Sequence, residues 1–296
     1  MYKKILFPIK FEEFSLDVLA CILNFKKAGM EEVVLLHVVD VSKLPMDKFE
    51  GYHPDDIKRF TALAEAKMAE AMEIVETAGL RPRKRIEVGV PYREILRVAE
   101  EEDVSLIVSG RQKKGVLGEI FIGSNTDKVI RYGKVPVYVP KYPAICGGDK
   151  SACERYCSRM FERVLYPTDW SDCATAALRY LKGLKNAGVE EVIVAHVMDE
   201  KAMSQHPADK FKEFERIDRE KLRKVQEELE KEGFKVTTRL HLGKPGADLI
   251  KIARQEDVSL IVIGSHGKGF VGEILWGSVS RKAIEYSDRP VLVIKG

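Results

Sequence analysis

Two stretches of this chain are copies of one another, and no other feature limits the possible folds as much. KILFPIKFEEFSLDVLACILNFKKAGMEEVVLLHVVD, around Pro8, aligns without a gap on RVLYPTDWSDCATAALRYLKGLKNAGVEEVIVAHVMD, around Pro167, at an offset of 159. After a five-residue length difference the offset becomes 154, and Glu102–Val108 recurs residue for residue as Glu256–Val262. VPVYV (Val135–Val139) then echoes RPVLV (Arg289–Val293). A chain of 296 residues is thus read as two domains, 1–141 and 161–296, joined by a Pro-, Gly- and polar-rich linker over 142–160.

Each copy alternates short apolar runs with helical patterns. In the second copy Val164–Tyr166 reads as a strand, and Ala174–Lys185 as a helix with Ala177, Leu178, Leu181 and Leu184 on one face. Val192–Val197 is a β-branched run of the kind buried on both faces of a sheet. A long charged helix (Lys210–Lys231), strand Val236–Leu240, helix Ala247–Gln255 and strand Leu260–Ile263 follow. A Gly-rich loop, helix Ser278–Tyr286 and strand Val291–Ile294 complete the copy. Strand–helix alternation ending on a strand implies an α/β fold: two tandem Rossmann-like domains, each a five-stranded, mainly parallel sheet with helices on both faces. Ligands of such sheets bind beyond the carboxyl ends of the strands, where strand order reverses.

Charge narrows the function. Residues 1–149 carry 23 basic and 23 acidic residues and residues 150–296 carry 26 and 23, so neither half has the basic excess of a nucleic-acid partner. No apolar run reaches the 18 residues of a membrane span, and the apolar stretch at the start stops at Lys10, short of a signal-peptide core. A cytoplasmic protein without membrane partners is expected. Asn and Gln together number seven against abundant Lys, Arg and Glu, a bias that suits a thermophile.

After the fourth strand the second copy reads GSHGKGFVGEILWGSVS, Gly264–Ser280. Glycines there supply tight turns and let backbone N–H groups approach a phosphate, and the loop ends where a helix begins, at a site suited to anions. The plainer alternative is that Ser278 caps the helix and the glycines only turn the chain. Gly267, Gly269 and Gly272 satisfy G-x-G-x-x-G, but that dinucleotide fingerprint belongs in the first strand-to-helix turn. Neither Gly264–Phe270 nor Gly110–Val116 carries the Lys-Ser/Thr ending of a P-loop.

What does fit is G-x-x-G, nine residues, then G-[ST]: Gly264, Gly267, Gly277, Ser278. With the Pro167-Thr168-Asp169 turn after the first strand and His196-Val197 closing the second, the sequence resembles the universal stress protein family, in particular its ATP-binding branch. The resemblance spans nearly the whole chain outside the linker. It implies Asp169 at ribose hydroxyls, the Val197 backbone at an adenine edge, and Gly264, Gly267, Gly277, Ser278, Val279 and Ser280 at phosphates, with Pro167 and Thr168 in the same turn. It implies ATP or AMP as ligand, with Mg as accompanying ion, and pairing of the two copies through their last strands, Val135–Val139 against Val291–Ile294. A homodimer of chains and an unidentified protein partner would fit the same family. The alternative role for Asp169 is a turn or cap residue, since Thr-Asp-x-Ser precedes a helix.

The first copy departs from this pattern. Gly110, Gly123 and Ser124 are kept, but Lys113 replaces the second glycine and Lys10 stands where the carboxylate should be. Degeneration into a structural half is the expectation, against an anion site built on the two lysines. His37 and His196 occupy one repeat position, where a bond to a nearby backbone carbonyl is expected. His266 lies in the Gly loop, facing either solvent or the phosphates. No nucleophile, base and orienter stand together, so an efficient ATPase is not expected, and the resemblance makes an adenine-nucleotide switch or sensor the leading reading. A nucleotide-independent scaffold and a slow ATP hydrolase are the alternatives. Cys146, Cys153 and Cys157 lie in the linker at a spacing unlike a zinc site, which leaves a linker disulfide, a metal or redox cluster, or inert thiols.

Overall fold

The computed structural model describes residues 1–11, 15–43, 46–47, 51–52, 54–110, 123–141, 150–267 and 276–296. In the first copy the sheet strands are β1 Lys4–Pro8, β2 Glu32–Asp40, β3 Arg81–Gly89, β4 Leu106–Val108 and β5 Val137–Val139. In the second they are β6 Arg163–Pro167, β7 Glu191–Asp199, β8 Lys235–Gly243, β9 Leu260–Gly264 and β10 Val291–Ile294. The main helices are α1 Ser15–Ile22, α2 Pro54–Thr77, α3 Pro91–Glu101, α4 Ser124–Tyr132 and α5 Lys150–Ser158. Their second-copy successors are α6 Asp172–Lys182, α7 Ala208–Lys231, α8 Pro245–Gln255 and α9 Ser278–Tyr286.

These ten strands form one sheet in the order β8-β7-β6-β9-β10-β5-β4-β1-β2-β3, and Met46–Asp47 pairs antiparallel with Gly51–Tyr52 as a separate two-stranded sheet. Each half is parallel inside and reverses its order beside its first strand, where β6 lies between β7 and β9 and β1 between β2 and β4. The halves meet antiparallel through β10 and β5, with Val291 opposite Val139 and Val293 opposite Val137. This is the seam expected from the last strands, and it turns two open sheet edges into an internal ladder.

Alternation along the strands splits the core into two layers. Ile5, Phe7, Val164 and Val192 enter one layer, while Leu6, Leu165 and Ile193 enter the other, and both layers run through the two copies. Each fully buried Leu, Ile or Val contributes about 1.5–3 kcal/mol. Tyr2 adds a polar tie between copies, its hydroxyl donating to the Tyr180 carbonyl at 2.9 Å.

The duplication persists in unusual backbone. Gly29 and Gly188 close equivalent turns at φ +92° and +94°, and Phe11 and Trp170 share a left-handed conformation at +57° and +66°. Two lysines at one repeat position cross the seam in opposite directions. Lys141, fully buried, donates from Nζ to the Ile284 carbonyl near the end of α9, and Lys295 donates to the Ile130 carbonyl near the end of α4. Each cation therefore sits at the negative end of the other copy's helix.

Several sequence-based boundaries need correction. The second strand of the second copy runs on to Asp199, so Val197 lies inside it and does not close it. Its first helix stops at Lys182, before Gly183, and a short 3-10 turn follows at Lys185–Ala187. The linker contains α5, so it is not wholly irregular. Cys157 of α5 is disulfide-bonded to Cys21 of α1, a partner outside the linker. Cys153 is also disulfide-bonded, and Cys173 is a buried free thiol. Cys146 and Lys113 lie outside the described residues. Among the described residues no group of three or more His, Cys, Asp or Glu side chains could hold a metal ion. None of their helices is long and apolar enough to cross a membrane.

Candidate functional site

A cleft of about 860 Å³ opens beyond the carboxyl ends of β6, β7 and β9. Its lining includes all eleven residues singled out in the sequence: Pro167, Thr168, Asp169, Val197, Gly264, His266, Gly267, Gly277, Ser278, Val279 and Ser280. This is where strand order reverses, so parallel-sheet topology and the motif spacing select the same place.

The β6 end makes the first wall. Thr168 N–H donates to the Ala195 carbonyl at 2.9 Å, extending the β6–β7 ladder by one bond. The chain then turns sharply at Trp170, whose N–H is held by Thr168 Oγ1 at 3.1 Å. Asp169 Oδ1 accepts from Ser171 N–H at 3.1 Å and from Ser171 Oγ at 2.6 Å. Ser171, rather than Asp169, caps α6 by accepting from Ala174 N–H. The other carboxylate oxygen of Asp169 faces Gly267, where a Cβ would collide with it. Asp169 thus has the turn role weighed against ribose binding, on one oxygen, while the second oxygen points across the cleft.

β7 supplies a main-chain edge. Ala195 faces β6, and period-two alternation turns Val197 to that same side. The last register with β6 is Pro167 opposite Ala195, so Val197 presents its N–H and C=O past the point where β6 has left the sheet. A donor and an acceptor in that arrangement match the edge of a purine base.

The third wall is the start of α9. Its N-cap is Gly277, with extended backbone (φ −65°, ψ +147°) and no side-chain cap. Ser278 is the first helical residue and does not cap. The first intrahelical bond is Arg281 N–H to the Gly277 carbonyl at 3.0 Å, so the N–H groups of Ser278, Val279 and Ser280 are the orphan donors of the helix. They and the helix dipole give this end a positive electrostatic character. Ser280 Oγ donates to the Gly264 carbonyl at 2.7 Å and ties the helix to the end of β9. Gly264 is needed for packing, since a Cβ there would lie 2.9 Å from the Cys173 backbone. His266 is half-buried in the wall, Nδ1 3.1 Å from Ser265 Oγ. Gly269 and Gly272 lie outside the described residues.

The sequence reading of the paired histidines is matched in both copies. His196 Nδ1 lies 2.7 Å from the Thr168 carbonyl, and His37 Nδ1 lies 2.9 Å from the Ile9 carbonyl. Since a carbonyl only accepts, Nδ1 carries the proton in both. Burial holds His37 below the ordinary imidazole value; the bond to Ile9 opposes that drop and Lys67 adds to it.

Three cleft residues escaped the sequence reading. Asp218, from α7, accepts the Trp170 indole N–H at 2.9 Å on Oδ1 and lies 3.3 Å from His196 Nε2 through Oδ2. Lys221 stands 3.9 Å from Asp218 and 5.5 Å from the centroid of Trp170. In the first copy the repeat positions of Asp169, Trp170 and Asp218 hold exposed Lys10, Phe11 and buried Ala64. A comparison of the copies at those positions would have revealed the set.

A model described as the universal stress protein family matches residues 1–141 and 160–295. The universal stress protein MJ0577 of Methanocaldococcus jannaschii is 38% identical over 157 residues, which are 47% of this chain and 97% of that protein. A universal stress protein of Mycolicibacterium smegmatis is 26% identical over 238 residues, 79% of this chain and 76% of the relative. The crystal structure of a universal stress protein from Archaeoglobus fulgidus is similar over 100% of this chain and 99% of its own, with 27% identity and a TM-score of 0.76.

Proposed function

The chain belongs to the universal stress protein family, and from that premise we propose that its second domain, within 161–296, binds an adenine nucleotide, ATP or AMP, as a signal. The observation that carries this reading is the gathering of an open main-chain edge, a carboxylate and an uncapped helix start in one cleft of about 860 Å³. Val197 supplies the N–H and C=O for the base, and Asp169 accepts from the ribose hydroxyls. The N–H groups of Ser278, Val279 and Ser280 receive the phosphates, joined by the exposed Ser278 hydroxyl. Ser280 contributes its backbone, because its hydroxyl is committed to Gly264. Gly267 and Gly277 allow close backbone approach. Mg²⁺ accompanying ATP would be held chiefly by phosphate oxygens, as is usual for that ion.

The first domain, within 1–141, is proposed as the structural half. Lys10 removes the acceptor for a diol, although the helix start at Gly123-Ser124 is built the same way as at Gly277-Ser278. Calorimetric titration with ATP and with AMP tests both statements. One site per chain is expected, weakened at least about tenfold in Asp169→Ala, in line with the loss of a charged hydrogen-bond partner. Two sites per chain would overturn the structural role of the first domain. No binding of either nucleotide would favour a nucleotide-independent scaffold.

A further inference from the structure

Asp218 joins three elements that rim the cleft. It stands on α7, accepts the indole N–H of Trp170 in the β6–α6 turn, and lies 3.3 Å from Nε2 of His196 on β7, an ion pair when that nitrogen is also protonated; the other ring nitrogen, Nδ1, donates to the Thr168 carbonyl of that turn. The turn between Pro167 and Ser171 is therefore gripped on both sides of Asp169.

The duplicated half serves as an internal control. Phe11 adopts the same left-handed backbone as Trp170, and its ring lies 5.0 Å from His37, matching the 5.0 Å between Trp170 and His196. Lys67 stands over Phe11 as Lys221 stands over Trp170. The turn and its ring packing thus form with Ala64 in place of the acid and with no indole N–H. The polar grip is extra to the fold, and it occurs in the copy that has a carboxylate to aim. Of the two copies, the one with Lys10 lacks Asp169, Trp170 and Asp218 together.

We propose that Asp218 is a positioning residue for the nucleotide site, fixing Trp170 and His196 so that Asp169 is held ready for the ribose hydroxyls. This rests on the nucleotide reading above. The gain is preorganisation: a turn already confined to its binding geometry loses less freedom when ligand arrives. Ala64 in the first copy shows that the fold accepts alanine at this repeat position, so Asp218→Ala is a usable probe.

The experiment has one arm without ligand and one with it. Amide hydrogen exchange is followed at Ser171, whose N–H is bonded to Asp169, in wild type, Asp218→Ala and Asp218→Asn. Exchange about tenfold faster in Asp218→Ala is expected, with protection restored in Asp218→Asn, whose amide oxygen still accepts from the indole. Affinities are then measured for ATP and for 2′,3′-dideoxy-ATP. Asp218→Ala should weaken ATP about tenfold, leave the dideoxy analogue unchanged, and have no further effect in an Asp169→Ala background. Unchanged exchange would overturn the proposal, as would equal losses for ATP and its dideoxy analogue, which would mean direct contact with base or phosphate. Failure of wild type to bind ATP would overturn the nucleotide reading and with it the site that Asp218 serves, whereas the exchange arm would still decide whether the grip exists.

Discussion

Gly267 shows how closely the cleft depends on single atoms. A methyl group there would collide with Asp169 Oδ2, a movable carboxylate, whereas one on Gly264 would meet the Cys173 backbone at 2.9 Å. The two substitutions should therefore separate function from stability. Gly267→Ala is expected to push Asp169 aside and weaken ATP at least about tenfold while moving the melting temperature little. Gly264→Ala should destabilise by about 1–3 kcal/mol, the usual range for overpacking a close-fitting interior. Calorimetry with ATP and thermal unfolding of both variants check this; equal loss of binding and stability in the two would contradict it. Local spacing marks the glycines, whereas Asp169 stands out only through the resemblance of its Pro-Thr-Asp turn to the family. Asp218 and Trp170 lie 48 residues apart, and no short-range rule joins an indole on a turn to a carboxylate on a distant helix.

α5 illustrates what composition hides. Its surroundings are rich in Pro, Gly and charge, so the segment reads as linker, yet it forms a helix whose Cys153, Tyr156 and Cys157 pack against Cys21 and Val18. The strands and amphipathic helices of the two domains were readable because burial imposes a period on them. A cysteine pairing across 136 residues has no period, and nothing in the sequence around Cys21 marks it as the partner of a linker thiol. The covalent tie closes a long loop, and such ties typically contribute about 2–4 kcal/mol by restricting the unfolded chain. Cys157→Ser should accordingly lower the unfolding free energy by about that amount and make the chain more sensitive to trypsin at Arg155 and Arg159. Urea unfolding and limited proteolysis, with and without dithiothreitol, check the point. Under reductant, which also opens the Cys153 disulfide, wild type and variant should converge, and a variant as stable as wild type without reductant would remove the Cys21–Cys157 tie from the account.

Ten strands in one sheet make the two domains a single mechanical body, and the β5–β10 ladder alone is a short join, with three residue pairs in register. Reciprocal lysines reinforce it. Lys141 and Lys295 each reach the carbonyl end of the other copy's helix, where a cation is favoured by the dipole and by the unpaired carbonyls. The environments differ, because Lys141 is fully buried whereas Lys295 is partly exposed. Removing Lys141 leaves the buried Ile284 carbonyl without its charged donor, a loss of about 1.5–3 kcal/mol, so Lys141→Met should destabilise more than Lys295→Met. The pair also differs in its pH signature. Burial lowers the Lys295 ammonium from its ordinary value of 10.5, so between the lowered value and 10.5 the unfolded chain binds the extra proton. Stability contributed at this position must then rise with pH through that window and level off above 10.5. Urea unfolding of wild type and Lys295→Met from neutral to alkaline pH should show wild type gaining on the variant as pH climbs. Parallel curves would mean that Lys295 titrates alike in folded and unfolded chains, and that the seam rests on Lys141 and the ladder.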